Sequence, residues 1–409
     1  MNQLLCLAGP SLCALLLGAA VPAADLFVDA NGTPGTYATV QAAILAAQPG
    51  DRILVLPGSY PAFSITKAIH IVGVGTEPSS VVVGGVHLGL GFPNQNYHVS
   101  LSRLRIDAGP TSPTAVSGQE LGVGRIEFDS VEVEGGFRLL SGEPGFVLSF
   151  ANCEVRGDIG QGYDGGTCHL AAPAPSYFSI TRSRFQGARG NLFAAQAPMA
   201  GLLLDGGVTV QIEQCSIDGG DGGVAQAGAP GLDVRSAQVR SLGTSTVVTG
   251  GDGGVGAAGG PGVRTTSTVL RGTVSVAGGV GTPSGPTVTG GGALLQATGV
   301  RPELSFHVDQ SAIGPVMAAA GSQLDWQLDA GNNPSVVLMS LAIGGPLPPP
   351  LDQLAIDPGF AMLLPADATF VVPPLGAVIG LPLFFQGIAF DVSSGAYRAT
   401  AVDAIHLDG

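Results

Sequence analysis

Val99–Ala108 reads VSLSRLRIDA, and four later segments are variants of it: Ile126–Gly135 (IEFDSVEVEG), Leu148–Gly157 (LSFANCEVRG), Phe178–Gly187 (FSITRSRFQG) and Val210–Gly219 (VQIEQCSIDG). Apolar residues hold places one, three and eight, polar residues mostly hold two, seven and nine, and place ten is Gly or Ala. The starts lie 27, 22, 30 and 32 residues apart, so a constant strand unit alternates with variable connections. That is the mark of a solenoid, in which one rung cannot bury its apolar face alone and stacks on its neighbours. Strand alternation then puts places six and eight inside and places seven and nine outside.

The stretch before the repeats, residues 25–74, predicts a capped first coil. Val40, Ala43, Ile44 and Ala47 share one helical face, Thr36 or Thr39 caps its start, and Pro49-Gly50 ends it. Arg52–Leu56, Phe63–Ile65 and Ile69–Val72 read as strands. The stretch contains Gly50, Asp51, Ile53, Val55, Pro57, Gly58 and Tyr60 in the pattern GD-x-I-x-V-x-P-G-x-Y. This resembles the N-terminal module of right-handed parallel β-helix proteins of the pectin-lyase-like superfamily, pectinesterases among them. The resemblance covers about fifty residues. It implies an all-β parallel β-helix whose open end is plugged by a short helix. It implies no activity, because these residues build the cap and first coil.

After the five rungs the register loosens and glycine takes over. Ile217–Gly223 (IDGGDGG) and Val248–Gly254 (VTGGDGG) recur 31 residues apart, and Val276–Gly279 (VAGG) follows after 28. Later rungs are expected around Phe306–Val308 and Trp326–Leu328, for a solenoid of about ten to twelve coils over residues 25–345. Residues 346–409 shift composition, beginning PLPPP, and are expected to form a small C-terminal β-module or cap. Within them LPLFFQGIAFD (Leu381–Asp391) resembles the terminal strands of β-modules appended to some secreted bacterial proteins.

Composition narrows the function classes. The uncharged stretch Leu4–Val21, with Val21-Pro22-Ala23 before Ala24, reads as a secretory signal peptide over residues 1–24. Nothing after it is long and apolar enough to span a bilayer. The 65 Gly and 30 Pro are nearly a quarter of the 409 residues, yet 45% are hydrophobic, which suits strands joined by glycine turns rather than a disordered tail. Net charge is −14 with a single lysine, Lys67, which disfavours nucleic acid, anionic membranes and acidic polysaccharides unless Ca²⁺ bridges the charges. Beyond the signal peptide stand Cys153, Cys168 and Cys215. Cys153 and Cys215 share place six two rungs apart, roughly 9.6 Å between Cα atoms, beyond disulfide reach. Both are expected buried and unbonded to each other, with a Cys153–Cys168 bridge as the alternative.

Place seven runs Arg105, Glu132, Glu154, Arg184, Ser216 and place nine Asp107, Glu134, Arg156, Gln186, Asp218. Stacking sets Arg105 beside Glu132, Glu134 beside Arg156 and Glu154 beside Arg184, an exposed ladder whose pairs are each worth about 0–1 kcal/mol. Glu132 and Glu154, one rung apart, are also the candidate acid and base of a glycosidase, whose carboxyls stand about 5 to 9.5 Å apart. A ligand-facing strip would join Arg105, Glu134, Arg156 and Arg184 to Asp158, Tyr163, Asp164 and Tyr177 of the following connection. Asp218, Asp221 and Asp252 in the glycine loops are the candidate Ca²⁺ ligands, although the calcium β-roll nonapeptide is not reproduced. The catalytic patterns of pectate lyases, polygalacturonases and pectinesterases do not occur. The favoured expectation is therefore a secreted, extracellular or surface, non-catalytic β-helix for display, adhesion or weak glycan contact. The alternatives are a polysaccharide lyase or glycoside hydrolase, and a Ca²⁺-stabilised matrix protein.

Overall fold

The computed structural model describes residues 24–408 apart from 91–96, 110–113, 158–166, 175, 191–195, 243–245, 267–268, 273–274, 291–292, 297–302, 309–316, 320–322, 341–360, 372–381, 393–394 and 400–402. Three sheets of parallel strands, with eleven, nine and nine members, wrap one core. The chain is an all-β parallel β-helix. Each coil contributes one strand to each sheet in turn, as in Tyr97–Ser102, Arg105–Asp107 and Thr114–Leu121.

The five decapeptides stack in the expected register. Val99, Ile126, Leu148, Phe178 and Val210 align in the first sheet. Ile106, Val133, Val155, Phe185 and Ile217 align in the second. Places six and eight are buried throughout, Leu104 and Val131 included. Phenylalanines from all three sheets meet in the middle: Phe128 stacks on Phe150 at 5.2 Å, Phe137 packs edge-on against both, and Phe185 closes on Phe150 at 5.7 Å. Burying each such side chain contributes about 1.5–3 kcal/mol, and no coil has a second apolar layer of its own.

At place five the chain turns from the first sheet to the second. Arg103 (φ 56°), Ser130 (53°), Asn152 (55°), Arg182 (46°) and Gln214 (54°) all stand in the left-handed region. A single such residue per coil makes the corner sharp enough for place six to point back inward.

The N-terminal cap forms as the pattern predicts. Helix Val40–Ala46 buries Val40, Ala43 and Ile44 over the first coil, and the Thr39 side chain accepts from the Ala42 N–H at 3.2 Å. Its C-terminal carbonyls are bound by the ammonium of Lys67, which donates to Leu45 O (3.0 Å) and Ala47 O (2.7 Å). Asp51 is buried and accepts from the Ala24 and Gln48 N–H groups, while the Tyr60 hydroxyl donates to Leu56 O at 2.7 Å.

Two expectations are corrected. The connections between decapeptides are not loops throughout, because each carries a third-sheet strand: Thr114–Leu121, Gly136–Ser141, Cys168–Ala171 and Leu202–Asp205. These runs are only four to eight residues long and lack a second repeat feature to mark them. The stretches expected as later rungs are antiparallel instead: Glu303–Val308 pairs with Gln323–Asp329, with Phe306 opposite Trp326. Among the described residues the parallel stack ends at Ala293–Gln296. Beyond it lie a three-stranded and a six-stranded sheet, the latter including Pro382–Asp391. The indole of Trp326 donates to Pro365 O at 3.0 Å. Among the described residues no helix is long and apolar enough to cross a membrane. The expected signal peptide lies outside the described residues except for Ala24.

The glycine-rich connections are not flexible turns but a hydrogen-bonded slab. Outgoing segments 219–223 and 250–254 and return segments 228–231 and 259–262 bond to their equivalents in the next coil at every third residue. Thus Gly219 donates to Thr249 O, Gly222 to Asp252 O, Gly250 to Ala277 O and Gly253 to Val280 O. Outgoing and return layers bond to each other as well: Ala229 donates to Gly220 O, Gly251 to Ala229 O and Gly260 to Gly251 O. The three-residue period is that of polyproline-II-type chains, and where such chains crowd together only glycine fits. A Cβ on Gly220 would fall inside the Ala188 carbonyl, whereas one on Gly256 (φ +75°) would meet open space.

The three cysteines are buried and free. Desolvation holds all three thiols up, Cys215 to about 12. Because the folded values exceed the ordinary 9.0, this contribution to stability is complete below pH 9.0 and is lost as pH rises towards 12.

Two measurements check the fold. Gly220→Ala is expected to cost about 3 kcal/mol or more of unfolding free energy, and Gly256→Ala about 1 kcal/mol; equal costs would contradict the slab. At about pH 8 the native protein should expose none of the three thiols to an aromatic disulfide reagent, and all three after denaturation without reductant. A mapped bridge between any two would contradict the packing.

Candidate functional site

The second-sheet strands are only three residues long, so the corner at place five and the outward side chain at place seven lie next to each other on every coil. Together they line an open groove of about 730 Å³ that crosses successive rungs. The place-five side chains Arg103, Ser130, Asn152, Arg182 and Gln214 run along it, beside Glu132, Glu154, Arg184 and Ser216 of place seven. The short turn Thr76-Glu77-Pro78 closes one end.

Within the groove, polar groups are tied into a lattice along the stack. The Asn152 amide donates to Asp129 Oδ1 at 3.0 Å and its carbonyl oxygen accepts from Arg182 Nε at 3.0 Å. The Asp129 carboxyl is raised by burial, against the opposing effect of hydrogen bonds from Asn152 and Ser130 and the charge of Arg182. The Arg103 guanidinium is bonded to the Gly75 carbonyl.

Sequence-predicted residues fare differently. Glu132 and Glu154 are direct register partners, and both line the groove. The outward ladder exists with one change of partner. Arg105 pairs diagonally with Glu134 at 3.1 Å rather than with its register neighbour Glu132. Arg156 lies 3.8 Å from Glu134 and 2.8 Å from Glu154, and Arg184 lies 3.9 Å from Glu154 and 3.8 Å from Asp218. Its hydrogen bond to Glu154 raises Arg156 above the ordinary guanidinium value. With both arginines on Glu154, one member of the supposed acid/base pair is held in ion pairs.

Tyr177 does not face a ligand: it is buried, and its hydroxyl donates to Gln211 Oε1 at 2.6 Å. Asp158, Tyr163 and Asp164 lie outside the described residues. Asp218, Asp221 and Asp252 serve the slab and the ladder. Asp218 accepts from the Ser216 hydroxyl, Asp221 from the Asp252 N–H (3.0 Å), and Asp252 from the Val280 N–H (2.7 Å). Among the described residues no three His, Cys, Asp or Glu side chains converge as a metal site.

Two polar rows escaped the sequence reading. The place-five column is one, since nothing in a polar residue before an apolar one announces a left-handed corner. The other is the outer face of the first sheet, where the polar character of place two is legible but its burial is not: Ser100, Glu127, Ser179 and Gln211 are buried, as is Arg125 just before place one. There His98 Nε2 lies 3.3 Å from Glu127, Arg125 contacts the same carboxylate, and His70 Nδ1 meets Ser100 Oγ at 2.8 Å. Burial lowers Arg125 below the ordinary guanidinium value, against the pull of Glu127. These buried groups lie against one another beneath the surface; the corner groove is open. Comparison with protein-family models, curated proteins and solved structures returns no match for this chain.

Left-handed residues other than glycine cost of order 1 kcal/mol or more each, and they gather where a side chain is needed at a binding surface. The Gln214 side chain, exposed and free of hydrogen bonds among the described residues, gives the cleanest test. Gln214→Gly relieves the corner and should leave stability within about 1 kcal/mol or raise it in a denaturant titration. A loss above about 2 kcal/mol would make that side chain a structural part of the corner.

Proposed function

We propose that this protein is an exported, non-catalytic parallel β-helix that holds an extended polysaccharide along the corner groove, in surface display or adhesion. The N-terminal module is read, by its GD-x-I-x-V-x-P-G-x-Y pattern, as that of the pectin-lyase-like superfamily. The observation that carries the functional reading is the place-five column. A chain with 65 glycines keeps Arg, Ser, Asn, Arg and Gln at five successive left-handed corners, all lining one groove. Glycine would turn each corner without strain. The retained side chains are hydrogen-bonding groups repeated at the rung spacing of about 4.8 Å, matched to a ligand that is itself a repeating hydroxylated chain.

Cleavage is the second reading, and it rests on the register pair Glu132 and Glu154. A glycosidase needs one carboxyl free to donate a proton and the other free to attack or to activate water. Glu154 instead shares its oxygen Oε1 with Arg156 and Arg184. The ladder role accounts for these contacts without a reaction.

A panel of polysaccharides, scored for retention on the immobilised protein and for chain shortening in solution, tests the proposal. Retention without shortening is expected. Glu132→Gln breaks no ion pair among the described residues, and Glu154→Gln breaks only pairs with exposed arginines that water and salt screen, so each should lower stability by less than about 1 kcal/mol. A polysaccharide that the wild-type protein depolymerises and neither variant does would overturn the proposal and make these two residues catalytic.

A further inference from the structure

The last parallel coil ends differently from those before it, and we propose that two copies of this chain meet there, end to end about a two-fold axis. Its second- and third-sheet strands, Ser275–Ala277 and Val288–Gly290, are the terminal members of their sheets. Their inward valines, Val276 and Val288, are only half-buried, although Val248 and Val263, on which they stack, are fully buried. The glycine slab ends open as well. Gly278 and Gly281 occupy the places from which Gly250 and Gly253 donate to the next coil, and their N–H groups donate to nothing among the described residues. The Gly285 carbonyl, in the place where those of Ala229 and Gly260 accept from the next coil, is equally unused among them. Strand edges are ordinarily protected by charged side chains, and solenoid ends by a cap.

Charge makes the partner a second copy. No Asp, Glu, Lys or Arg stands at 272–300, on a chain of net charge −14. Two such chains repel one another on most approaches, and this end is where they can touch without that cost. The loss of charge is sharpest at residue 280. Asp221 reaches forward to the Asp252 N–H and Asp252 to the Val280 N–H, and the same column then ends on Val280, 71% exposed. An apolar side chain thus points out of the stack where the two coils before it carry a carboxylate. The open end holds both donors and an acceptor, so a copy turned about a two-fold axis can set N–H against C=O. The opposite end is shut by the helix Val40–Ala46, so copies cannot add head to tail and the assembly closes at two. The antiparallel sheets do not cover the open end, since Ser275, Ala277, Val280 and 282–284 are all exposed.

Sedimentation equilibrium of the full chain, at up to about 0.1 mM, tests the proposal. The wild-type protein should reach about twice the mass of one chain and no more. Val280→Asp restores the acid that the two preceding coils carry and should weaken the dimer about ten-fold or more, because the two copies then bring like charges together. The double variant Ser275→Glu/Ala277→Glu should do the same, as like charges on neighbouring strands repel, and so should Ser275→Lys/Ala277→Lys. All three change exposed side chains, and thermal unfolding should show each variant folded. Mixing the Glu and Lys doubles should bring the dimer back, since opposite charges then face each other across the interface. A wild-type mass of one chain throughout overturns the proposal, as does a mass that climbs past two chains with concentration. A dimer that the variants leave intact, or a mixture of the two folded doubles that stays at single-chain mass, overturns it too.

Discussion

Everything in this molecule depends on the parallel register of inward side chains from coil to coil. A single coil is one strand thick on each side, so its apolar residues meet across the coil but are covered above and below only by those of its neighbours. Phe128 resting on Phe150, and Ile106 aligned with Val133, are instances of one constraint. The constraint also fixes the outside. Once places six and eight are committed inward, places seven and nine must project, and charges on successive coils come within ion-pairing distance whatever else they do. The Arg–Glu ladder follows from the core, and its presence is no argument for chemistry.

The same constraint needs a sharp corner in each coil, and the corner is where core and candidate function meet. Turning at one residue demands a left-handed backbone there, and that residue's side chain points away from the core by necessity. In the slab the chain solves crowding with glycine; at the corner it does not. The contrast between Gly220, where any side chain would strike a carbonyl, and Asn152 or Arg182, where side chains are carried in spite of the backbone, distinguishes a packing demand from a surface demand.

How far the sequence disclosed this depended on periodicity. First- and second-sheet strands were legible because apolar places one, three and eight repeat together, and the cap because Thr39, Val40 and Ile44 obey helical spacing. Glu132 and Glu154 were correctly placed side by side by counting along the repeat. Third-sheet strands such as Cys168–Ala171 stayed hidden inside connections of changing length. The antiparallel pairing of Phe306 with Trp326 was misread because an alternating apolar strand looks alike in either direction. Corner conformation has no letter code for residues other than glycine, so the groove's own column was invisible. Tyr177 was expected outward, and it does leave the core, yet it is buried against Gln211, a contact between rungs that no local pattern encodes.

The most direct test of the central claim, that ligand is held at the corners, is amide hydrogen exchange along the whole chain with and without a saturating oligosaccharide. The account predicts added protection in peptides covering 103–105, 130–132, 152–154, 182–184 and 214–216, and none in the glycine slab at 219–231 and 250–262. Protection confined to the slab, or spread over the antiparallel sheets while the corners exchange unchanged, would contradict it.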